Sequence, residues 1–491
     1  MPIRNRIINV DLDERARKAM IDNGLEPDFP PAVENEVREI LTDSNPVQPG
    51  IDDLRHLLWS SIDNRTSKDL DQVEYAEQLP NGDIRLLVGI ADVVSLVKKD
   101  SAIDRHAAIN TVSVYTESEI FPLLPPELST DLTSLNHDED RYAIVVELII
   151  KENGDVPGNS VLQALIRNRA KLSYEEVGNW LDEDAGEPDA FQVLPELEEQ
   201  LRLQMTAADR LHKFRCENGA LEFESIESAP VVTGGEIRDI ESVKSNSARM
   251  IIENFMIAAN VEIAEFLELN GSSSIRRVVK TPERWEKIRE LAREFGHELP
   301  AGPDAQALQA FLSDRRRADP DHFPDLSLAI VKLIGAGEYV VKRAREDSDG
   351  HFGLAVRDYA HSTAPNRRYP DIVIQRLVKS RLGDAASPYS DGELDEIAQH
   401  CNDQERAARK VERKMRKIVA ATVMQHRVGE NFEAIVTGKT KSGTFARILR
   451  PPVDGRIVRG EERVDVGDKI RINLLSADPR TGFIDFAVNE R

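Results

Sequence analysis

The chain has 491 residues, which is too long for one compact hydrophobic core and predicts two to four domains. Its 64 basic and 87 acidic side chains give a net charge of -23, which excludes indiscriminate binding to nucleic acid or to anionic membranes. Cys216 and Cys401 are the only cysteines, so we expect neither a disulfide framework nor a zinc site, and a reducing cytoplasm is the simplest location. The sequence contains no run of about 18 apolar residues, so it predicts no membrane span.

Residues 1–50 predict a short helical region. Apolar residues recur at helical spacing from Leu12 to Leu25 and from Ala32 to Leu41, and the proline-rich segment 26–31 separates the two. A different pattern begins at Ile51. From there, strand-like runs flank the turn Asn81-Gly82-Asp83, which predicts a β-hairpin.

Three aspartates follow the first of these strand-like runs. In an extended segment Asp69 and Asp71 point the same way, and a loop over 64–68 can fold Asp63 back beside them. Hard oxygen ligands favour Mg²⁺ or Mn²⁺, so the cluster predicts a metal site. The alternative interpretation is a polar turn between two strands, because Asp is a common turn residue.

Other motifs along the chain favour the metal site over the polar turn. In chain order it reads SIDNRTSKDLDQ from 61, GIADV from 89, VYTESEIFPLLPPELS from 114, NRAKLSYEEV from 168, NGALEF from 218, ENFMIAAN from 253, YAHSTAPNRRYPD from 359 and AARKVER from 407. This series resembles the ribonuclease II and RNase R family, whose members share an RNB catalytic domain. The resemblance covers about residues 50 to 425.

The resemblance implies an α+β fold, with an RNB-type catalytic domain over residues 51–425 built from a mixed sheet and surrounding helices. It implies that Asp63, Asp69 and Asp71 hold the metal ion, and that Asp71 and Asp69 are catalytic. Arg367 occupies the position of the family's essential arginine. Gln72 stands where many members have a fourth acid, and we expect it to offer a neutral carbonyl oxygen and to lower metal affinity.

The resemblance also implies an RNA path. Tyr115 and Phe223 match the aromatic pair that stacks on the terminal bases, although a lone Tyr or Phe is more often a core residue. Base stacking accepts every nucleotide, which suits an enzyme without sequence preference. The remaining RNA contacts implied by the family are Tyr174, Glu253, Arg368 and Glu412.

Seven basic residues occupy 405–417, opposite an apolar face that predicts an amphipathic helix. They are Arg406, Arg409, Lys410, Arg413, Lys414, Arg416 and Lys417. Such a helix is either an ordinary solvated face or the wall of an RNA channel.

Residues 428–491 alternate between apolar and polar positions in short runs broken by glycine and proline. The pattern predicts a five-stranded OB-fold β-barrel of the S1 ribosomal-protein type, a class that binds single-stranded RNA. Lys441, Phe445 and Arg447 are the predicted RNA contacts, with Phe445 equally suited to the barrel core.

The predicted function is processive 3′ to 5′ exoribonuclease action on single-stranded RNA, with Mg²⁺ or Mn²⁺ and no organic cofactor, by a cytoplasmic monomer that has no membrane partner. Larger family members carry cold-shock-type OB domains ahead of the catalytic domain, and about 50 residues cannot hold two of them. Together with Gln72, this favours the alternative of a catalytically inactive RNA-binding regulator. A hydrolase of small phosphodiesters is a third, less favoured hypothesis.

Overall fold

The computed structural model describes residues 10–42, 50–183, 186–224, 227–233, 236–243, 245–320, 322–344, 346, 350–440 and 443–489. The N-terminal region folds into two helices, α1 (Leu12–Asp22) and α2 (Pro31–Thr42). The side chain of Asp11 caps α1 by accepting a hydrogen bond from the Glu14 amide at 3.0 Å. The two helices confirm the helical N-terminal region predicted from apolar spacing.

A mixed sheet forms the centre of the region that follows these two helices. Its strands are β1 (Asp52–Asp53), β2 (Trp59–Asp63), β3 (Gln72–Gln78) and β4 (Ile84–Ala91); after α3 (Ala102–Asn110) and the small hairpin β5 (Val114–Tyr115) and β6 (Ile120–Phe121) come β7 (Asp140–Ile150) and β8 (Asn159–Ser173). The strand order is β1-β8-β2-β3-β4-β7, and a further pairing of β7 with β8 closes the sheet on itself. Apolar side chains pack on both faces of the sheet, which fixes the register of its strands.

Helices cover this sheet. The remaining elements of this region are α4 (Tyr174–Glu183), α5 (Ala190–Val193), α6 (Glu196–Glu217), β9 (Glu227–Thr233), β10 (Glu236–Val243), α7 (Ser247–Leu269), β11 (Ser274–Val278), α8 (Trp285–Glu294), α9 (Ala305–Ala318), α10 (Phe323–Ile334), β12 (Glu338–Lys342), α11 (Tyr369–Leu382) and α12 (Asp391–Met424). No helix among the described residues combines the length and the apolar character that crossing a membrane requires.

Helix α12 holds the parts of the molecule together. It spans 34 residues and begins with a capping box between Ser390 and Glu393. Along one stretch, Val411 and Met415 pack against Ala19 and Met20 of α1. Near its end, Met424 joins the core of the C-terminal barrel.

The C-terminal region is a closed barrel of β13 (Asn431–Thr440), β14 (Gly443–Ile448), β15 (Asp454–Arg459), β16 (Lys469–Asp478) and β17 (Phe483–Val488), in the order β13-β14-β15-β17-β16. The predicted α+β class and five-stranded barrel are confirmed. Closure leaves no free sheet edge, so the barrel needs no partner strand.

Candidate active site

The acidic loop, residues 63–71, connects two neighbouring antiparallel strands. Asp63 ends β2 and Asp71 directly precedes β3, so the loop returns to the same end of the sheet. Ser134 fixes the returning half, because its hydroxyl accepts from the Leu70 amide at 2.9 Å and donates to the Lys68 carbonyl at 2.7 Å. The loop therefore has a defined shape that brings the aspartates together at the end of the sheet.

The arginine loop, residues 359–368, approaches the acidic loop from a distant part of the chain. Asp371, fully buried at the start of α11, accepts from the Ala364 amide and from Arg368, at 2.8 and 2.7 Å. Asn260 of α7 accepts from both the amide and the hydroxyl of Ser362 at 2.8 and 2.7 Å. These buried polar contacts hold the backbone that carries Arg367.

Asp71 is the point at which the two loops meet. Its carboxylate is 3 % exposed, accepts from the Asn366 amide at 3.0 Å and lies 3.4 Å from the Nε atom of Arg367. Burial raises the pKa of Asp71 to about 7, although Arg367 and the Asn366 amide both act to lower it. A carboxylate held in this way gains strongly from a nearby positive charge.

Asp63 and Asp69 lie on the same loop. The Asp63 carboxylate accepts from the Asn64 amide at 2.6 Å and from the Ser67 hydroxyl at 3.0 Å. Burial raises the pKa of Asp63, and the charge of Asp69 raises it further, while the two hydrogen bonds lower it. The Tyr115 hydroxyl donates to Asp69 at 3.4 Å.

This donor set fits a hard divalent cation. Within the described residues the oxygens of Asp63, Asp69 and Asp71 do not all come within 4.8 Å of one another, so the three do not form a closed cage. Mg²⁺ is usually bound through one or two carboxylates, waters and substrate phosphate, and the open arrangement of all-oxygen ligands matches that habit. Gln72 is largely buried at the start of β3, and its part in holding a cation stays a prediction.

Glu74 is a site neighbour that the sequence did not single out. It is fully buried two residues after Gln72 on the same face of β3, and neither carboxylate oxygen has a hydrogen-bond partner among the described residues. Burial raises its pKa well above the ordinary value, and the charge of Asp63 adds to the shift. The alternation of Gln72 and Glu74 with Val73 and Tyr75 was the only sequence signal, and ordinary half-exposed strands show the same pattern.

Two of the predicted RNA contacts, Tyr115 and Tyr174, lie beside the acidic loop. Tyr115 is 39 % exposed, and its amide donates to Glu412 of α12 at 3.2 Å while its hydroxyl reaches Asp69. Tyr174 begins α4 beneath the guanidinium of Arg249, 4.5 Å from the ring centre. Burial raises the pKa of Tyr174, and the Asp63 charge contributes.

Three other predicted contacts lie in different surroundings. Phe223 is half-buried and packs against the apolar cluster of α8–α10 that includes Trp285. Glu253 is exposed on α7, where its charge acts on Arg215. Arg368 is mostly buried and committed to Asp371, an environment that favours packing over contact with a substrate. All three remain predictions as RNA contacts.

Helix α12 presents a basic stripe, which we define as Lys410, Arg413 and Lys417. All three side chains are exposed and, within the described residues, form no ion pair, whereas Arg409 pairs with Glu405 at 2.7 Å. Their spacing places them on one side of the helix. The same helix supplies Glu412, which contacts Tyr115, but Glu412 lies about 130° around the helix from the middle of the stripe. The stripe therefore occupies a different side of α12 from that contact, and its place in an RNA channel stays a prediction.

In the barrel, β14 alternates between buried and half-buried residues. Thr444 and Ala446 point inward, so Phe445 and Arg447 lie on the outer face. This placement removes the core alternative for Phe445. Arg447 pairs across to Asp454 of β15 at 3.0 Å. Lys441 lies outside the described residues.

Comparison with known proteins agrees with this architecture. The family model described as "RNB domain" matches residues 51–384, and the model described as "RNase II-type exonuclease C-terminal S1 domain" matches residues 430–489. The mixed sheet and its acidic loop lie within the first match, and the closed barrel lies within the second. The chain belongs to the RNB-domain family, and the predicted family resemblance is confirmed.

One relative by sequence and one solved structure are similar to most of the chain. Ribonuclease R of Vibrio cholerae is 33 % identical over an alignment of 453 residues, which covers 88 % of this chain and 53 % of that protein. The chain thus spans about half the length of the curated relatives it matches. The structure of Mycoplasma genitalium RNase R in complex with ribose-methylated single-stranded RNA superimposes with a TM-score of 0.87 at 24 % identity, covering 98 % of this chain and 78 % of that one.

A third similarity concerns a protein described as a pseudonuclease. Yeast Ssd1 superimposes with a TM-score of 0.71 at 16 % identity, over 94 % of this chain and 57 % of that one. At this identity the likeness concerns the fold alone. The fold therefore occurs in a protein named for the loss of nuclease activity, so activity has to be argued from the site residues.

Proposed function

We propose that the chain is a processive 3′ to 5′ exoribonuclease that hydrolyses single-stranded RNA to nucleoside 5′-monophosphates. The contact between Asp71 and Arg367, 3.4 Å apart, is the observation that carries the proposal. It brings a carboxylate suited to a metal ion and a guanidinium suited to a phosphate side by side at the meeting point of the two loops. Phosphoryl transfer needs both, because negative charge accumulates on the phosphoryl oxygens in the transition state.

Asp63, Asp69 and Asp71 would hold Mg²⁺, or Mn²⁺, with Gln72 offering a neutral oxygen. A divalent cation, when bound, lowers the pKa of a coordinated water and offsets charge on phosphoryl oxygens. Arg367 is 48 % exposed, so its forked guanidinium is free to bind two non-bridging oxygens. Asp71 fixes the direction of that fork through the Nε atom, which leaves the outer nitrogens for the phosphate.

Tyr115 and Phe223 would stack on the terminal bases. The Glu412 contact to the Tyr115 amide and the Asp69 contact to its hydroxyl hold the ring at the edge of the acidic loop while leaving it partly exposed. Stacking contributes about 1–3 kcal/mol per base whatever its identity. A substrate bound in this way is positioned by its bases and cleaved at its backbone, which gives hydrolysis without sequence preference.

We further propose that residues 1–50, 51–425 and 428–491 act as the N-terminal region, the catalytic domain and the RNA-binding barrel of a cytoplasmic monomer. The described residues support the placement of these boundaries. The acidic loop and the arginine loop lie within 51–425, and the closed barrel begins at β13.

The second candidate function is an RNA-binding regulator without catalysis. Gln72 favours it, because a neutral amide replaces a charge that many relatives carry, and the likeness to a pseudonuclease shows that the fold tolerates such a loss. The contact of Asp71 with Arg367 opposes it. Both groups remain in place for chemistry.

A time course on 5′-labelled single-stranded RNA, with a matched DNA and with magnesium or EDTA, distinguishes the two functions. We expect a ladder that shortens to a few nucleotides, only on RNA and only with metal. Asp71→Asn should abolish the ladder and retain RNA binding. If the parent binds RNA and leaves it uncleaved at every magnesium and manganese concentration, the regulator becomes the better account.

A further inference from the structure

A second group of ligand-type side chains lies at the end of α6, away from the acidic loop. His212 and Cys216 are four residues apart, so they share one face of the helix. Gly219, at φ +94°, turns the chain back after the helix and brings Glu222 to the same place. Among the described residues this is the one trio of His, Cys, Asp and Glu whose ligand atoms all lie within 4.8 Å of one another.

The His212 and Glu222 atoms lie close to the spacing of two ligands of a tetrahedral ion, and the Cys216 sulfur lies beside the imidazole ring. The Nε2 atom of His212 lies 2.9 Å from the Oε1 atom of Glu222, while the sulfur lies 3.6 Å from Nε2 and 3.9 Å from Nδ1. With ordinary zinc bond lengths, tetrahedral geometry separates nitrogen and oxygen ligands by about 3.3 Å, and nitrogen and sulfur ligands by about 3.6 Å. The nitrogen and oxygen therefore need to separate by about 0.4 Å, and a rotation of the Cys216 or His212 side chain has to bring the sulfur in front of Nε2.

The surroundings orient the carboxylate. Gln309, buried on α9, donates to the Oε2 atom of Glu222 at 2.8 Å and accepts from the Glu222 amide at 2.8 Å. Arg316 approaches the other oxygen to 3.7 Å, but its closer partner is Glu224 at 2.8 Å. A ligand oxygen fixed by a neighbouring hydrogen bond is a regular feature of protein metal sites.

We propose that His212, Cys216 and Glu222 form a binding site for a zinc ion, with a fourth position open to water. One nitrogen, one sulfur and one oxygen ligand make a set that zinc accepts and that the hard cation Mg²⁺ does not favour. All three side chains are half-buried, so solvent reaches the site. The number of cysteines, taken alone, argued against a zinc site. Such a count does not show which side chains the fold brings together.

A bound ion would tie the end of α6 to the segment that carries Phe223. Glu222 is the residue directly before that proposed stacking contact. The site shares no ligand residue with the acidic loop. It can therefore be tested whether or not the chain degrades RNA.

Cobalt provides the direct probe, because cobalt bound to a thiolate absorbs light in a way that oxygen ligands do not reproduce. The full chain would be stripped of metal, supplied with excess magnesium to fill the acidic loop, and titrated with Co²⁺. Cys401→Ser is the matched control, since Cys401 is the only other cysteine and is buried in α12. We expect the thiolate-to-cobalt absorption in the parent and in Cys401→Ser, its loss in Cys216→Ser, and its displacement by Zn²⁺.

Glu222→Gln serves as a second variant that keeps the shape of the side chain. It should keep the parent circular dichroism spectrum and weaken zinc affinity by about tenfold or more. Equal cobalt absorption in the parent and in Cys216→Ser would overturn the proposal. So would absence of the thiolate band from the parent, because the three residues would then be a hydrogen-bonded trio only.

Discussion

Arg367 and Arg368 are neighbours in sequence with opposite surroundings. Arg367 is half-exposed beside Asp71, while Arg368 is mostly buried against the fully buried Asp371. The pair therefore separates a contribution to chemistry from a contribution to stability.

We expect Arg367→Lys to lower kcat about 100-fold with the midpoint of unfolding unchanged, because one point charge replaces a fork at the transition state. Arg368→Gln should instead lower the free energy of unfolding by about 3 kcal/mol, since it leaves Asp371 buried without its partner. Single-turnover kinetics and urea denaturation measure the two effects. A large loss of stability in Arg367→Lys would contradict the assignment.

Glu262 of α7 predicts a pH dependence. The residue is 6 % exposed, and burial, reinforced by the charge of Glu265, raises its pKa to about 8. The carboxyl is thus protonated in the folded chain between its ordinary pKa near 4.5 and about pH 8, where the unfolded chain is ionised. Folding takes up a proton in this window, so the free energy of unfolding falls as pH rises through it, by at most about 1.4 kcal/mol per pH unit.

Glu262→Gln should remove this part of the slope and make the chain more stable than the parent at pH 8. Urea denaturation at a series of pH values measures it. Glu265→Gln is the comparison, because it keeps the Glu262 carboxyl and removes a second carboxyl whose pKa burial also raises, so it should reduce the slope only in part. An unchanged slope in Glu262→Gln would place the protonation elsewhere.

At the scale of the element, the basic stripe of α12 concerns RNA affinity. Replacing Lys410, Arg413 and Lys417 by serine should weaken RNA binding and reduce the salt dependence of log K by about 2, since each single-strand phosphate contact contributes about 0.7. Filter binding across a range of salt concentrations measures this.

Arg406 and Arg409 provide the control on the same helix. They pair with Asp403 and Glu405, so their positive charges are already balanced by neighbouring carboxylates. Replacing them breaks these ion pairs and leaves the unpaired charges of the basic stripe unchanged. The double variant should bind RNA nearly as the parent does. An equal loss in both variants would mean that only the net charge of the helix matters.

At the scale of the whole molecule, the seating of the barrel on α12 depends on one glycine. Gly482, in the turn between β16 and β17, has φ +74°, and a Cβ atom there would lie 2.9 Å from the Cβ atom of Lys417. Gly482→Ala should shift the barrel away from the helix and weaken RNA binding. Gly467→Ala is the matched control, because Gly467 has φ +94° and no atom within 4 Å.

Both variants carry the same backbone strain of about 1–2 kcal/mol, so both should unfold somewhat more easily. Only Gly482→Ala should increase proteolysis in the segment that joins α12 to the barrel. Limited proteolysis together with RNA affinity measures the difference. Equal behaviour of the two variants would show that the turn does not control how the barrel is seated.

The sequence predicted the parts of the molecule that depend on local pattern. The helical spacing of residues 12–25, the alternation after residue 428 and the acidic loop all correspond to elements of the structure. The separate roles of Arg367 and Asp71 came only from the family motifs, and their contact was not predicted. It depends on two loops nearly 300 residues apart, and such a contact has no local signature.

Other features required the three-dimensional structure. Glu74 has the spacing of an ordinary strand residue, and only the closed sheet shows that it is buried with no hydrogen-bond partner in the described part of the chain. The His212 and Cys216 spacing is visible in the sequence, but the position of Glu222 depends on the turn at Gly219. Phe445 was ambiguous until the register of β14 placed it on the outer face of the barrel.

The packing of α1 on α12 has a consequence for synthesis. Ala19 and Val411 belong to one apolar cluster, yet roughly 390 residues separate them, which is about 20–80 s of translation at ordinary ribosomal rates. Throughout that interval only the part of the native surface that includes Val114 and Phe121 is available to cover the apolar side of α1. The apolar side of α1 therefore stays partly uncovered until α12 has been synthesised, which makes α1 a segment that a chaperone can bind during synthesis.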